Sequence, residues 1–381
     1  MQDVSIIGVG MTPVGEHWDK GLRDLAADAI QLALADAGQP KIDALYVGNA
    51  FSGVFSSQAH LGALIADHAR LEGVEAFTIS AADASGGAAL RTAYMAVASG
   101  LVETALVLGV EKSSDAVAGH RVEARNVAID AEFEAAHGAT LPALAALLMR
   151  RYMHEHSLGL RAFEGFSINA HTNGKRNPLA MFRNTVREGA FGKAPMVADP
   201  VNLFDGAPDA DGAAALILTT NERAVDMVAN PVRIVGSAVA TDTLKLQDRA
   251  DMLHFNAVAR SAKLALHQAQ LSLDELSLME IHDSFTIVSA MTLEAMGLAA
   301  HGEGWQLTDQ IGLTGSVPIS TFGGLKSRGN PIGATGIYQA AEATLQLRQD
   351  AGDNQVVDAR TALVQNLGGL ASTAVTHILV L

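Results

Sequence analysis

Three residues of the sequence, two of them with side chains suited to acid–base chemistry and one with a hydroxyl, stand where α/β proteins often place their sites. Asp83 lies in a run of small residues, 80–87 (SAADASGG), between a predicted strand and a predicted helix. His282 and Ser284 flank Asp283 directly after an apolar run, and α/β sheets bind ligands at the carboxyl ends of their strands. A carboxylate and an imidazole at one site can take up and return a proton. We therefore treat Asp83, His282 and Ser284 as candidate catalytic residues.

Asp83 and His282 also have purely structural interpretations. Asp is among the best N-cap residues, and its charge is favourable at the positive end of a helix. Asp83 could therefore do no more than begin the helix that follows it. A histidine after an apolar strand is more often structural than catalytic. The sequence leaves both alternatives open.

Glycine is concentrated in two further segments. Residues 323–336 (GGLKSRGNPIGATG) contain five glycines in fourteen positions and open a long predicted helix. Residues 365–370 (QNLGGL) make a turn between the last two predicted strands. Glycine allows a backbone to approach a ligand or another backbone closely, because it has no Cβ. These segments contain more such positions than a connecting loop needs.

Residue spacing gives no indication of a metal site. His154 and His156 are two positions apart, so on a helix they point to different faces and cannot easily share an ion. The sequence has neither an HExxH motif nor a carboxylate cluster at ligand spacing. We expect no bound metal.

Strand-like apolar runs alternate with helical stretches, which is typical of parallel βαβ units with helices on both faces. The pattern stops near His120, resumes near Ala213 and begins again at Val232. We predict two similar α/β halves, with an insertion in the first. The N-terminal half covers 1–119, a mostly helical insertion 120–212, the last strand of the first half with a linker 213–230, and the C-terminal half 231–381. The predicted strands are 3–10, 44–48, 76–81, 104–110, 213–218, 232–238, 278–282, 361–365 and 373–381, and the predicted helices are 22–37, 60–71, 85–99, 258–270, 287–296 and 334–348.

The composition argues against several classes of protein. The chain has 41 acidic and 26 basic residues, a net charge of −15, whereas proteins that bind nucleic acid are usually basic. No apolar run reaches the roughly 18 residues of a transmembrane helix, and the first residues lack the basic start of a secretory signal. We expect a cytoplasmic protein that binds neither nucleic acid nor membrane. The absence of cysteine excludes disulfides, thiolate metal sites and a cysteine nucleophile.

The insertion differs in charge from the rest of the chain. Residues 121–194 contain ten basic and seven acidic side chains, so this stretch is positive within an acidic protein. One interpretation is a pair of charged, solvated helices. The other is a local site for an anionic ligand, such as one that carries phosphates.

Taken in order along the chain, these motifs resemble the thiolase superfamily, and in particular its sterol-carrier-protein-type and archaeal acetyl-CoA acetyltransferase-like branch. The similarity runs from Ile6 to Leu381. It rests on 83–87 (DASGG), 282–285 (HDSF), 323–336 and 366–369 (NLGG), with support from 109–112 (GVEK), 175–178 (KRNP) and 211–215 (DGAAA). The resemblance implies duplicated βαβαβαββ halves in an α/β/α/β/α arrangement with an inserted loop domain, and a homodimer or dimer of dimers built across the first half.

The resemblance also implies an acyl-CoA thioester as substrate or ligand, with no separate cofactor. Candidates for holding it are Lys175, Arg176, Arg183, Gly323 and Gly324. The family's nucleophilic Cys falls on Asp83, the histidine of its GHP motif on Asn330, and the Cys of its HDCF-type motif on Ser284. The Cys that other branches carry before the last Gly-Gly turn falls on Asn366. His282 and the Gly368 backbone remain as the family has them.

An ordinary thiolase needs a thiolate that accepts the acyl group and a base that forms it, so we expect no thiolase reaction of the cysteine type. Two hypotheses remain. In the first, the protein breaks a C–C bond of an acyl-CoA by a retro-aldol route, in complex with a small Zn-ribbon/OB-fold partner. Asp83 acts as the base, and His282 and Asn330 stabilise the thioester enolate. In the second, the protein is a non-catalytic thiolase-fold subunit that binds acyl-CoA or supports a partner enzyme. An Asp83 buried beside His282 and Asn330 with an open pocket would favour the enzyme. An Asp83 that caps the backbone amides near Ser85 and Gly86, with the pocket closed, would favour the subunit.

Overall fold

The computed structural model describes residues 2–381, and its first half alternates strands with helices. The elements up to the insertion are β1 (Val4–Met11), α1 (Leu22–Asp36), β2 (Ala44–Gly48), α2 (Ser52–Phe55), α3 (Leu61–His68), β3 (Glu75–Ile79), α4 (Ser85–Ser99) and β4 (Thr104–Glu111). The insertion then contributes α5 (Ala118–Asn126), α6 (Leu141–Glu155), α7 (Glu164–Gly174), β5 (Met196–Ala198) and β6 (Val201–Asn202).

The second half repeats this order after one more strand of the first. Its elements follow as β7 (Gly212–Thr220), α8 (Asn221–Met227), β8 (Val232–Thr241), α9 (Asn256–Ala269), β9 (Leu278–Glu280), α10 (Thr286–Met296), α11 (Thr335–Arg348), β10 (Thr361–Gly368) and β11 (Thr373–Val380). Where the first half has its third strand, the second has a single bridge between Ile319 and Met279.

Within residues 2–381 the long strands form one nine-stranded sheet, in the order β3-β2-β4-β7-β1-β8-β11-β10-β9. The two half-sheets join where Val4–Ile6 of β1 pairs antiparallel with residues 232–234 of β8. β2 is parallel to both β3 and β4, and β9 is parallel to β10. These parallel pairs require the helical crossovers that the alternating pattern predicts.

The helices form three layers around the half-sheets. α4 and α11 contact strands of both halves, so they lie between the half-sheets. α1 and α3 cover the outer face of the first half, where Leu25, Ile30 and Leu61 join a buried apolar cluster. α9 and α10 cover the outer face of the second half and pack into the cluster that also contains residues of α6. The layers are therefore α/β/α/β/α, which confirms the predicted fold class.

The two central helices approach each other through glycines at their first turns. A Cβ at Gly86 would lie 3.0 Å from the backbone nitrogen of Gly336, and a Cβ at Gly336 would lie 2.4 Å from that of Gly87. These glycines belong to two segments noted in the sequence, the small-residue run 80–87 and the glycine-rich segment 323–336. Their glycines bring the start of α4 against the start of α11, and the candidate site is built around this crossing.

We expect Gly336→Ala to destabilise the fold by about 1–3 kcal/mol, the usual cost of overpacking a tight interior. The added Cβ would lie 2.3 Å from Oδ1 of Asn366, so a side chain that contacts His282 must shift. Urea denaturation measures the change in the free energy of unfolding. Gly53→Ala is the matched control, since a Cβ there has nothing within 4 Å. Equal stability of the two variants would contradict the close approach.

Among residues 2–381 no helix combines the length and the apolar character needed to cross a lipid bilayer. Within the same residues no group of three or more His, Cys, Asp or Glu side chains is arranged to hold a metal ion.

Candidate active site

Asp83 stands in a tight turn between β3 and α4. Ala82, the residue before it, has a left-handed backbone (φ +51°), and Oγ of Ser85 accepts a hydrogen bond from the backbone nitrogen of Ala81 at 2.9 Å. The Asp83 side chain does not cap α4, whose N-cap is Ala84 without a side-chain bond. Its carboxylate is buried. Of the two interpretations that the sequence allowed for Asp83, the N-cap is not observed.

Arg125 is the partner of Asp83. Nη1 of Arg125, at the end of α5, donates to Oδ1 of Asp83 at 2.6 Å, and its Nε lies 3.7 Å from Oδ1 of Asp209. Burial lowers the pKa of Arg125, but the charges of Asp209 and Asp83 outweigh that and raise it above its ordinary value. The guanidinium stacks over the ring of Phe51 at 5.5 Å. In the sequence Arg125 is one of the ten basic residues of the insertion, and no spacing links it to Asp83, 42 positions earlier.

Glu111 holds the surroundings of this ion pair in place. Its fully buried carboxylate accepts from the backbone nitrogens of Ala50, Phe51 and Gly333, at 2.9, 3.2 and 3.1 Å. Burial raises the pKa of Glu111 to about 7 against these three donors. Glu111 thus connects the backbone of Phe51, whose ring lies beneath Arg125, to the turn that begins α11. It lies in the 109–112 motif, which is the signal that could have identified it.

His282 is held as a neutral hydrogen-bond donor. Oδ1 of Asn366 accepts from the backbone nitrogen of Gly87 at 3.0 Å, which fixes the orientation of the amide and turns its Nδ2 toward Nδ1 of His282 at 3.2 Å. Nδ1 of the imidazole is then the acceptor, so the proton lies on Nε2. Burial lowers the pKa of His282 to about 4. The ring therefore stays neutral and offers Nε2–H to a ligand.

Asn330 offers a second donor. Its Oδ1 accepts from Oγ1 of Thr335 at 2.8 Å and from the backbone nitrogen of Ile332 at 3.1 Å. The amide hydrogens have no acceptor within residues 2–381. Asn330 is also bonded through its backbone to Pro208 and Ala210, at 2.9 and 3.0 Å. This bridge places the residue between them, Asp209, beside Asn330.

The remaining predicted catalytic residues border the same region. Ser284 is buried, and its Oγ has no hydrogen-bond partner in the described part of the chain. Gly368 packs against the Asp83 turn, since a Cβ there would lie 2.7 Å from the carbonyl oxygen of Ala81. The structure therefore places Gly368 next to Asp83, while the part that each predicted residue takes in a reaction stays a prediction.

A cavity of about 930 Å³ leads from the insertion toward this cluster. Its walls are largely apolar, and they include Asp209 and Arg125, the partner of Asp83. Asp83, His282 and Asn330 are not among its lining residues. The lining includes Val122, Leu141, Phe182, Val186, Phe204 and Phe285, with Arg121, Arg187, His171 and Lys326 as the other basic side chains.

The predicted ligand-binding residues do not line this cavity. Lys175, Arg176 and Arg183 are exposed, and none of them is part of the cavity wall. Gly323 approaches Gly174 of α7, where a Cβ would lie 2.7 Å from its Cα, and a Cβ at Gly324 would lie 2.4 Å from the carboxylate of Asp283. The two glycines thus have packing contacts of their own. A role in holding CoA remains a prediction for all five residues.

Asp209 is a further candidate that sequence analysis missed. It lies on the cavity surface and its side chain is 25% exposed. Burial raises the pKa of Asp209, Arg125 opposes this rise, and the charge of Asp83 adds to it. Its only signal in the sequence is its place two residues before the 211–215 motif. Asp209 and Asp83, on either side of Arg125, give the site two carboxylates and one guanidinium.

Chemically, the cluster combines two proton acceptors with two neutral donors and contains no thiol. The donors, His282 and Asn330, can stabilise an oxyanion, and a carboxylate can take up a proton. Forming a covalent acyl-enzyme would need a nucleophile activated by a base. Ser284, the hydroxyl near the cluster, has no base bonded to it among residues 2–381.

Two family models match the sequence: "Thiolase, N-terminal domain" over residues 4–194 and "Thiolase C-terminal domain-like" over residues 238–380. The chain belongs to the thiolase family. The acetyl-CoA acetyltransferase of Methanothermobacter thermautotrophicus is 41% identical over 383 residues, 99% of each chain. The benzoylsuccinyl-CoA thiolase subunit BbsB of Thauera aromatica is 28% identical over 96% of this chain and 94% of its own.

A solved structure of an Ltp2-ChsH2(DUF35) aldolase has a TM-score of 0.87 with this chain, at 22% identity, and the match covers 100% of this chain and 98% of that one. At that identity the likeness concerns the fold. Together these matches confirm that the motif resemblance identifies the right superfamily.

Proposed function

We propose that this thiolase-family protein acts on an acyl-CoA without a covalent acyl-enzyme, and that it breaks or forms a C–C bond of a β-hydroxyacyl-CoA by retro-aldol chemistry. The observation that carries the proposal is the neutral His282, locked by Asn366 with its proton on Nε2, in a buried cluster that holds carboxylates and no thiol. The charge of Asp83 acts on the pKa of His282, so the carboxylate and the imidazole are electrostatic neighbours.

The reaction needs no group that the cluster lacks. A carboxylate takes the proton of the β-hydroxyl, the electron pair of the broken O–H bond forms the C=O bond of a ketone or aldehyde, and the bond between Cα and Cβ breaks. Its electron pair passes to the thioester as an enolate, whose oxygen accepts hydrogen bonds from Nε2–H of His282 and the amide of Asn330. The carboxylic acid then returns the proton to Cα. The products are a carbonyl compound and a shortened acyl-CoA.

The family comparisons support an acyl-CoA as ligand. The most similar relative reported above is named for acetyl-CoA, and BbsB for benzoylsuccinyl-CoA. The structural neighbour with a TM-score of 0.87 is an aldolase, which agrees with C–C cleavage. The apolar cavity of about 930 Å³ suits an acyl or pantetheine chain. Arg121 and Arg187 in its wall are cations that suit the phosphates of CoA.

We further propose that the protein works in the cytoplasm as a homodimer or dimer of dimers. β3 is an edge strand of the sheet, and Phe77 on it is 55% exposed, so the first half offers a strand for pairing with a second copy. We also propose that the protein binds a small Zn-ribbon/OB-fold partner protein, since the aldolase neighbour is named as an Ltp2-ChsH2(DUF35) aldolase.

A non-catalytic subunit is the second candidate function. The observation in its favour is the lining of the cavity, which includes Arg125 and Asp209 but not Asp83, His282 or Asn330. A subunit that binds acyl-CoA would need no passage beyond the cavity. The enzyme proposal needs the substrate carbonyl to pass beyond these lining residues to His282 and Asn330, with Arg125 still bonded to Asp83.

Turnover of 3-hydroxyacyl-CoA decides between these functions. We expect the purified protein, with its partner if one co-purifies, to release acetyl-CoA and a carbonyl compound from a 3-hydroxyacyl-CoA. Asn330→Ala and His282→Ala should each lower turnover by about 10²–10³-fold, the cost of one oxyanion donor. Glu188→Gln, an exposed charge between cavity residues, is the matched control and should leave turnover unchanged. Micromolar acyl-CoA binding without any cleavage would reject the lyase in favour of the subunit.

A further inference from the structure

The two aspartates beside Arg125 differ in how much of each a ligand can reach. The Asp209 side chain lies in the cavity surface and is 25% exposed, whereas that of Asp83 is 2% exposed and does not line the cavity. A general base must come within hydrogen-bond distance of the proton that it removes. Only Asp209 meets this condition for a ligand bound in the cavity as the structure has it.

Asp83 and Asp209 differ also in their hydrogen bonds. Arg125 donates to Oδ1 of Asp83 at 2.6 Å in a charge-assisted bond, while its Nε is 3.7 Å from Asp209, beyond hydrogen-bond distance. Within residues 2–381 Arg125 hydrogen-bonds to Asp83 and not to Asp209, so the carboxylate of Asp209 keeps its oxygens for a ligand. The positive charge nevertheless remains near Asp209, where it can stabilise an alkoxide formed from a β-hydroxyl.

The backbone places Asp209 opposite the proposed oxyanion donor. The hydrogen bonds from Asn330 to Pro208 and from Ala210 to Asn330, at 2.9 and 3.0 Å, pair the two segments in parallel. Asp209 and Asn330 are thereby neighbours across one bridge. The proposed base for the β-hydroxyl and the proposed donor for the thioester oxygen are therefore adjacent residues of two paired segments.

We propose that Asp209 is the general base that receives the β-hydroxyl proton of the substrate, and that Asp83 is a positioning residue that holds Arg125 beside it. The assignment rests on the retro-aldol function proposed above. Asp209 takes the hydroxyl proton, the bond between Cα and Cβ breaks, and the same proton returns from Asp209 to Cα. The site therefore selects acyl-CoA substrates that carry a neutral β-hydroxyl donor.

Hydroxyl recognition can be measured without turnover. The probes are 3-hydroxybutyryl-CoA and butyryl-CoA, which differ in the hydroxyl alone, titrated calorimetrically into the purified protein. A hydrogen bond to a charged acceptor predicts that the wild type prefers the hydroxylated ligand by about tenfold or more. Asp209→Ala should abolish the preference, bringing the ratio of the two dissociation constants to about one. Glu188→Gln is again the control.

Asp83 variants separate positioning from proton transfer. Asp83→Asn keeps an oxygen that accepts from Arg125, so we expect the hydroxyl preference to persist, whereas Asp83→Ala releases the guanidinium and should weaken it. In turnover, Asp209→Asn should cost about 10²-fold or more, the usual contribution of a general base. It should also remove the rise of kcat/KM with pH that follows ionisation of Asp209.

The outcomes are distinguishable. No hydroxyl preference in the wild type, or a preference that survives Asp209→Ala and is lost in Asp83→Asn, would overturn the assignment. A preference that depends on Asp209, in a protein that cleaves no 3-hydroxyacyl-CoA, would overturn the lyase function and leave the hydroxyl site standing.

Discussion

Asp83→Cys is expected to place a reactive thiol in the site without producing a thiolase. The side chain would sit on the same tight turn after Ala82, and the charge of Arg125 would favour a thiolate there. Thiolysis also requires groups that move protons on and off the thiols. Asn330 and Ser284 do not titrate near neutral pH, and burial lowers the pKa of His282 to about 4.

Each missing acid–base group is worth roughly 10²–10⁴-fold. We therefore expect cleavage of acetoacetyl-CoA by CoA to be at least about 10⁴-fold slower than for an active thiolase assayed in parallel. The new thiol would be the only one in the chain, so alkylation with iodoacetamide and mass spectrometry would confirm that it is present and reactive. The thiolysis rate of Asp83→Cys is compared with that of the double variant Asp83→Cys/Asn330→His. Thiolysis within tenfold of the reference enzyme by Asp83→Cys alone would refute the argument.

Arg328→Met is expected to lower the free energy of unfolding by about 3–5 kcal/mol, the cost of leaving one partner of a buried ion pair alone. Nη1 of Arg328 lies 2.5 Å from Oε2 of Glu342, and both side chains are 1% exposed. Burial and the charge of Glu342 raise the pKa of nearby Glu280 to about 8. Without the guanidinium, two buried carboxyl groups would face each other.

The loss of stability in Arg328→Met should grow with pH. Both glutamates ionise in the unfolded chain near their ordinary pKa of 4.5, whereas in the folded variant burial keeps them protonated to higher pH. Proton release on unfolding then favours the unfolded state as the pH rises above that value. Urea denaturation at pH 5 and pH 8 measures this difference.

Two further variants test the cause of that loss. Arg328→Met/Glu342→Leu removes both partners and should recover most of the stability, since apolar replacement of a buried pair is often close to neutral. Arg223→Met removes an exposed cation that pairs with Glu103 and should cost less than about 1 kcal/mol. A loss in Arg328→Met no larger than in Arg223→Met would show that the buried pair contributes little.

The element order was predictable because local signals and tertiary packing agree. β2 and α4 have the predicted bounds to the residue, 44–48 and 85–99. Some differences lie at element ends: α3 is Leu61–His68 rather than 60–71, and β9 ends at Glu280 rather than at 282. At such ends a short apolar run carries no information about where backbone pairing stops. The short helices α2 and α8 were not predicted.

The candidate site was predictable only in part. Asp83, His282 and Ser284 were identifiable because each follows an apolar strand, and Asn330 and Gly368 because they stand in glycine-rich motifs of the resembling family. Arg125 and Asp209 were not, because their partners are distant in sequence and neither residue stands in a distinctive motif. The partner of His282 is Asn366, 84 residues later, and only folding makes them neighbours.

By itself the sequence determined the α/β alternation, the two halves, the family resemblance and the absence of a cysteine nucleophile, since periodicity, glycine placement and residue type are local properties. The tertiary structure decided whether Asp83 caps a helix or forms an ion pair, which nitrogen of His282 carries the proton, and which aspartate faces the cavity. Those properties depend on burial and on partners from other elements. A carboxylate or imidazole acquires its chemistry from the charges and hydrogen bonds around it, and the fold brings these together.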